Sequence, residues 1–354
     1  MGKLGDADAT EAPSLAPWWS PERHRDRRPL LLARGRMMSR LRAYFEAEGF
    51  TEVETAQLQV SPGNETHLHG LAVELRREDG TRLPRYLHTS PEFAMKKLLA
   101  SGETRIFSFA RVFRDREVSA THSPEFTMLE WYRAGEPYEA LMEDCCRIVA
   151  IAAQAAGVDR LRHRGREADP FAQFERLTLE AAFRRDAGVE LFSGAGSREA
   201  LAAEAARIGL TVAADDTWSD LFSKVLSDRI EPGLGSGRPA ILCEYPASEA
   251  ALAALKADDP RVAERFELYA CGVELCNAFR ELTDPVEQRA RFEADMAEKA
   301  RIYGERYPID EDFLAALALM PQASGAALGF DRLVMLATGA QSIEQVLWTP
   351  VADL

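Results

Sequence analysis

Between Arg105 and Tyr132 the chain reads RIFSFARVFRDREVSATHSPEFTMLEWY, and its middle concentrates Arg114, Asp115, Arg116, Glu117 and His122. Guanidinium groups and an imidazole gathered on one loop suit a polyphosphate, because each arginine offers a planar fork of donors matched to phosphate oxygens. The same residues also describe a charged hairpin loop in solvent, and spacing alone leaves both readings open. Further along, Glu130 and Tyr132 share a face with Phe126 and Met128. An ionised carboxylate on an apolar face costs several kcal/mol to bury unless a cation meets it, so Glu130 either pairs inside the protein or receives a cationic ligand.

Three other stretches carry chemistry. In VELCNAFREL, Glu274 and Glu281 stand seven apart. An unbroken strand would turn them to opposite faces, so a bend or bulge is needed if both serve one pocket. Acidic pairs are also ordinary solvated surface. In GAALGFDRLVMLATGA, Gly325 and Gly329 let a ligand's ring approach the backbone, and Arg332 stands near the start of a helix, where a phosphate is favoured. A plain strand-to-helix turn with a surface arginine has the same pattern. In SPEFAMKKLLASG, Ser90 caps a helix with Pro91 at its first position and Glu92 in its first turn, a start signal complete without any ligand.

These residues need rigid supports. Phe107, Phe109 and Phe113 fall on one face of a strand, and Ile106, Ala110 and Val112 on the other, so that strand is buried on both sides. The next arm separates Phe126, Met128, Glu130 and Tyr132 from Thr127, Leu129 and Trp131. From Leu30, the spacing of Met37, Leu41, Tyr44 and Phe45 predicts an amphipathic helix closed by Gly49, and then FTEVETAQL predicts a strand. Gly63 and Asn64 mark a turn in VSPGNETHLHG, and RYLHTS predicts another strand. Residues 136 to about 232 read as a mainly helical insertion. PAILCEYP reads as a strand, ASEAALAAL as a helix, and ELYACGVELCNAF running on into FREL as a strand. Residues 1–28 read as a mostly disordered lead, except that a tandem Trp18 and Trp19 should pack back onto the body.

With 354 residues the chain can bury a large core, and 46% apolar with 28% charged residues is ordinary for a soluble globular protein. No apolar run is long enough for a bilayer, and MGKLGDADATEAPS lacks the pattern of a secretory signal, so no membrane partner and a cytoplasmic location are expected. Five cysteines without Cys-x-x-Cys pairs argue against a disulfide framework or a structural zinc site. The net charge of −14 disfavours a polyanion such as tRNA at long range.

The run FRDRE followed by HSPEF resembles motif 2 of the class II aminoacyl-tRNA synthetases, and GAALGFDRLVMLATGA resembles motif 3. With HTSPEFAMKKLL and RVAERFELYACGVELCNAFRELTD added, the resemblance is closest to the lysyl branch. Within that branch it points to the short paralogues, lacking an anticodon-binding domain, that modify translation elongation factor P. It covers roughly Trp18 to the C-terminus. It implies an α+β fold, an antiparallel sheet flanked by helices, with residues 29–354 as one catalytic domain and a dimer formed through the helix and strand after Leu30.

The resemblance also implies ATP and Mg2+ as cofactors, with Arg114 and Arg332 as the catalytic pair. Arg114 would hold the α-phosphate, His122 and Arg332 the outer phosphates, and Phe126 would stack on adenine. Asp115, Arg116, Ser123, Leu275 and Gly329 would complete the ATP site, and Glu274 with Glu281 would hold the metal. Ser90, Glu92, Glu130, Tyr132, Asn277, Glu281 and Ala327 would surround the amino acid, Glu92 meeting an amino group and Glu281 the terminal ammonium. The chain departs from the family pattern at Ala56, where a proline is usual, and at Arg116, where a glutamate is usual. Ala278 and Arg280 replace the Gly and Ser of lysyl-tRNA synthetases. Ala327 stands where those enzymes have glycine, and its methyl would favour a shifted amine such as the β position.

The implied reaction activates lysine or (R)-β-lysine as an adenylate and transfers it to a lysine side chain of elongation factor P. A homodimer with no stable tRNA binding is expected, since the lead could not form an anticodon-binding barrel. A minimal lysyl-tRNA synthetase, an ammonia-using enzyme of asparagine-synthetase type, and a non-catalytic regulatory paralogue stand as alternatives.

Overall fold

A computed structural model of the chain describes residues 17–351. Helix α1 (Pro21–Ala47) begins before the expected start at Leu30. Ser20 Oγ accepts from the Arg23 N–H, Pro21 occupies the first turn and Glu22 follows, so the start signal lies inside the stretch read as a lead. Residues 21–28 are therefore helical, and residues 1–16 of that lead lie outside the described residues. Trp18 is partly covered, with the Arg27 guanidinium 5.9 Å from its ring, but Trp19 is 66% exposed, so only half of the tandem packs back.

The main sheet has eight strands: β1 (Thr51–Glu52), β2 (Arg105–Phe113), β3 (Glu125–Ala134), β4 (Glu175–Thr178), β5 (Ala240–Pro246), β6 (Val262–Ala270), β7 (Val273–Arg280) and β8 (Ala323–Gly329). Their order is β1-β2-β3-β8-β7-β6-β5-β4, antiparallel except at the two edge pairs, β1 with β2 and β4 with β5. This is the expected α+β architecture. The remaining helices are α2 (Glu92–Ala100), α3 (Glu139–Ala156), α4 (Arg198–Arg207), α5 (Trp218–Val225), α6 (Pro285–Tyr303), α7 (Glu311–Leu317) and α8 (Phe330–Thr338), apart from short turns.

One face of the sheet packs on α1, α3 and α8, where Phe45 stacks on Phe107 at 4.7 Å beside Leu129, Trp131, Leu328 and Leu333. This is the face that alternation assigned to Phe107, Leu129 and Trp131. The other face carries Phe126, Met128, Glu130 and Tyr132 and is flanked by α2 and α7, whose Phe93 and Phe313 stack at 4.1 Å.

Local pattern and structure part company in four places. FTEVETAQL forms only β1 and, after a bend, Leu58–Gln59, which joins Arg82–Leu87 and Ala72–Arg76 in a small separate sheet. The stretch read as one strand through ELYACGVELCNAF is the hairpin β6–β7, turned by Cys271 (φ 55°) and Gly272 (φ 74°), the pair of left-handed residues that a tight hairpin turn requires. ASEAALAAL makes one turn, Ala247–Glu249, and then an extended strap. Ala254 N donates to Arg280 O and Leu282 N to Leu252 O, at 2.8 and 3.0 Å, so pairing with the end of β7 outweighs the helix propensity of alanine. Finally, the 136–232 region is not only helical: it supplies β4 to the sheet edge and a hairpin of Leu161–His163 with Arg166–Ala168. Its α4 and α5 close over a second apolar cluster with Phe183, Leu221 and Ile230. No helix among the described residues is long and apolar enough to cross a membrane.

Candidate active site

A cavity of 270 Å3 opens on the face of β3, β8 and β7, and both Arg114 and Arg332 line it. The loop between β2 and β3 and the first turn of α8 build its cationic end. Arg114 donates from Nε to Thr89 O at 3.2 Å and lies 5.3 Å over the ring of Phe126. Arg332 donates from Nη1 to Glu274 O at 2.9 Å, stands 3.5 Å from the Glu274 carboxylate, and donates from Nε to Thr121 O at 3.3 Å. Its Nη2 meets His122 Nε2 at 2.5 Å, and His122 Nδ1 lies 2.7 Å from Ser119 Oγ. A guanidinium can only donate, so His122 Nε2 accepts, and the proton of the neutral ring sits on Nδ1. Burial first, and then Arg332, lower the pKa of His122 and hold it neutral.

The opposite end is acidic. Ser90 Oγ donates to Glu130 Oε2 at 2.6 Å and accepts from Glu92 N at 3.1 Å, while Tyr132 donates to Glu130 Oε1 at 2.7 Å. Helix α2 begins at Glu92, with Pro91 rather than Ser90 at the cap position, which leaves the Ser90 hydroxyl free to reach β3. Lys96, one turn further on, is buried and contacts the carboxylates of both Glu92 and Glu281. Burial would lower the Lys96 pKa, but Glu281 and Glu92 outweigh it and keep the ammonium charged. Burial, reinforced by Glu92, pushes Glu130 up to about 7. Burial also pushes Glu281 up to about 8, with Lys96 opposing and Glu92 adding repulsion. Three carboxylates thus share one ammonium, a deficit that a cationic ligand would fill.

Register explains the convergence. Leu268 pairs with Cys276 but Tyr269 with Glu274, so Leu275 is the extra residue of a bulge in β7. Leu275, Asn277, Phe279 and Glu281 then follow period two into the cavity, and Glu274 reaches it as well. Ala327 lies between Asn277 on β7 and Glu130 on β3. A Cβ on Gly325 would overlap the Tyr132 ring and the Glu281 carboxylate, so that glycine makes room for the protein's own side chains rather than directly for a ligand.

Ser90, Glu92, Arg114, His122, Ser123, Phe126, Glu130, Tyr132, Glu274, Leu275, Asn277, Glu281, Ala327, Gly329 and Arg332 all line this one cavity. Asp115 and Arg116 do not. Arg116 takes a left-handed backbone (φ 66°) that turns it outward, where it pairs with Glu305 over the Tyr303 ring. Asp115 Oδ1 accepts from the Arg116 N–H at 3.0 Å, and Glu117 faces inward instead. Glu281 and Glu274 both line the cavity, and Lys96 contacts Glu281 Oε2. Lys96, Glu65, Thr121 and the strap residues Ala251 and Leu252 were not singled out from sequence. Only Lys96 left a trace there, as a lysine four residues after Glu92 on the buried face of its helix.

Residues 19–352 match the family model described as class II tRNA synthetases (D, K and N). The elongation factor P–(R)-β-lysine ligase of Proteus mirabilis is 38% identical over 325 residues, 91% of this chain and 94% of that protein. The protein of the same name from Klebsiella pneumoniae (strain 342) is 39% identical, over 90% of this chain and 94% of its own length. A lysine–tRNA ligase of Pelotomaculum thermopropionicum is 34% identical over 90% of this chain but 62% of its own length.

Proposed function

This chain belongs to the class II tRNA synthetases of the aspartate, lysine and asparagine group, and from that premise we propose that it is an ATP-dependent ligase that activates lysine or (R)-β-lysine and transfers it to a lysine side chain of translation elongation factor P. The observation that carries this reading is the polarity of the single cavity. Arg114, Arg332 and neutral His122 line one end, and Glu92, Glu130 and Glu281 line the other, with the buried Lys96 the one ammonium that Glu92 and Glu281 contact. A nucleotide triphosphate and a diamino acid are the two ligands whose charges complement those ends.

In the first step a carboxylate oxygen of the amino acid attacks the α-phosphorus of ATP, pyrophosphate leaves, and the acyl-adenylate forms. Arg114 and Arg332 hold the phosphates and offset the charge that develops on them, while the Glu130 and Glu281 carboxylates fix the ammonium end. Phe126, under the Arg114 guanidinium, offers a face to the adenine. Glu274 fits as a protein ligand for a magnesium ion, which takes one or two carboxylates together with substrate phosphates and, when bound, would neutralise phosphate charge. In the second step the acceptor amine attacks the acyl carbon and AMP leaves. The acceptor assignment is supported by relatives of that name that this chain matches over nearly their whole length, whereas it spans under two thirds of the lysine–tRNA ligase.

The test is ATP–pyrophosphate exchange across a panel of lysine isomers, repeated with purified elongation factor P and read by intact mass. One added lysyl residue on the factor is the expected result. Robust charging of bulk tRNA with the factor left unmodified would overturn the protein-acceptor reading.

A further inference from the structure

Seven acidic residues line the cavity, and six have partners. Glu92 and Glu281 meet Lys96, Glu130 accepts from Ser90 and Tyr132, and Glu274 stands against Arg332. Glu117 lies 3.7 Å from Arg114, and Asp331 pairs with Arg34. The seventh, Glu65, has no hydrogen bond or ion pair among the described residues. Its backbone is nonetheless fixed on both sides. Asn64 Nδ2 donates to Pro308 O at 3.3 Å and Thr66 Oγ1 to Asp295 Oδ1 at 3.0 Å. The buried ammonium of Lys299 donates to Thr66 O and Leu68 O at 3.0 and 2.7 Å. A free carboxylate on an anchored loop is positioned in advance for something that arrives.

Resting on the ligase reading above, we infer that Glu65 receives the ammonium of the acceptor lysine and takes its proton, freeing the amine that attacks the adenylate. The charges facing Glu65 are Glu92 from α2, Arg114 from the β2–β3 loop, Arg265 from β6 and Asp295 from α6. Glu65 lines the same cavity as Glu92, at the amino-acid end, and Arg114, the arginine assigned to the α-phosphate, and the acyl carbon of an adenylate would join those two ends. The ammonium subsite already has Glu130 and Glu281, which leaves Glu65 for the second amine that the reaction brings in. A lysine ammonium has no lone pair, so one proton must leave before attack. Burial first, then Glu92, push the Glu65 carboxyl above its ordinary range, which makes it a better proton acceptor than a solvated carboxylate. The protons balance: the ammonium gives one to Glu65, the amine forms the N–C bond, the C–O bond to the AMP phosphate breaks, and the nitrogen's second excess proton leaves with AMP.

The test compares Glu65→Gln and Glu65→Asp with wild type in two assays, amino-acid-dependent ATP–pyrophosphate exchange and single-turnover transfer from preformed adenylate to elongation factor P. Glu65→Gln should lower the ratio of transfer to exchange by about 100-fold, the usual weight of a positioned base, with Glu65→Asp recovering part of it. An unchanged ratio, whether both rates fall together or neither moves, overturns the inference and leaves the ligase reading standing. Wild-type protein that exchanges but never modifies the factor overturns the acceptor reading and this inference with it.

Discussion

Glu130 and Glu281 are buried with too few cations, and their protonation follows from that shortage. Both sit above the ordinary carboxylate value of 4.5, Glu130 at about 7 and Glu281 at about 8. A carboxyl raised in the folded state binds protons that the unfolded chain has already lost. Its contribution to stability is thus complete below about pH 4.5 and is lost as pH rises through about 7 and 8. The ligand-free protein should melt at progressively lower temperature from about pH 5 to about pH 8.5, and Glu130→Gln should flatten that slope. Over the same range the affinity for a diamino acid should rise, because its ammonium binds the ionised form. Calorimetry in buffers of different ionisation enthalpy should register proton release on binding, and none would sink the assignment of these carboxylates to a cation. From sequence, Glu130 was legible as a carboxylate needing a partner, because an apolar face with one acid is a local anomaly. Lys96 was legible only as a lysine one turn after Glu92, and its pairing with Glu281 was not, because Glu281 belongs to a distant stretch and meets it only across the folded sheet.

At the scale of elements, the site depends on an irregular hairpin and on one glycine beside it. The bulge at Leu275 brings Glu274 to the same side as Asn277 and Glu281, and Gly325 on β8 leaves the volume that Tyr132 and Glu281 occupy. Gly325→Ala places a methyl inside that space, and neither neighbour can retreat far, since Tyr132 is tied to Glu130 and Glu281 to Lys96. The expected result is a loss of about 1–3 kcal/mol in urea unfolding and a KM for the amino acid raised more than the KM for ATP. Equal effects on both substrates would detach Gly325 from the amino-acid end. The need for a bulge was legible from the odd spacing of Glu274 and Glu281. The hairpin turn was not, since Cys271 in a left-handed conformation is an uncommon choice for a non-glycine residue.

Across the whole molecule, a buried network joins the first helix, a central strand and the last helix. Asp331 on α8 pairs with Arg34 on α1 and accepts from Thr127 N on β3 at 2.8 Å, and Arg34 also donates to Thr127 Oγ1 at 2.9 Å. The next residue on α8 is Arg332, so this clamp sets where the phosphate-facing guanidinium starts. Asp331→Ala strands a buried arginine and should cost about 3–5 kcal/mol, and adding Arg34→Met should recover much of that cost because the uncompensated charge is then gone. Additive losses in the double variant would show that the pair is not coupled.

The sequence by itself determined the two faces of β2 and β3 and the two arginine-bearing turns, because each follows from burial period and backbone sterics within a short window. Only the tertiary structure decided that Arg116 turns outward, that ASEAALAAL becomes an extended strap, that Lys96 meets Glu281 and that Glu65 stays unpaired in the cavity. Those outcomes depend on which strands lie side by side and in what register. Charges brought together through space by β3, β8 and β7 leave no periodic trace along the chain that supplies them.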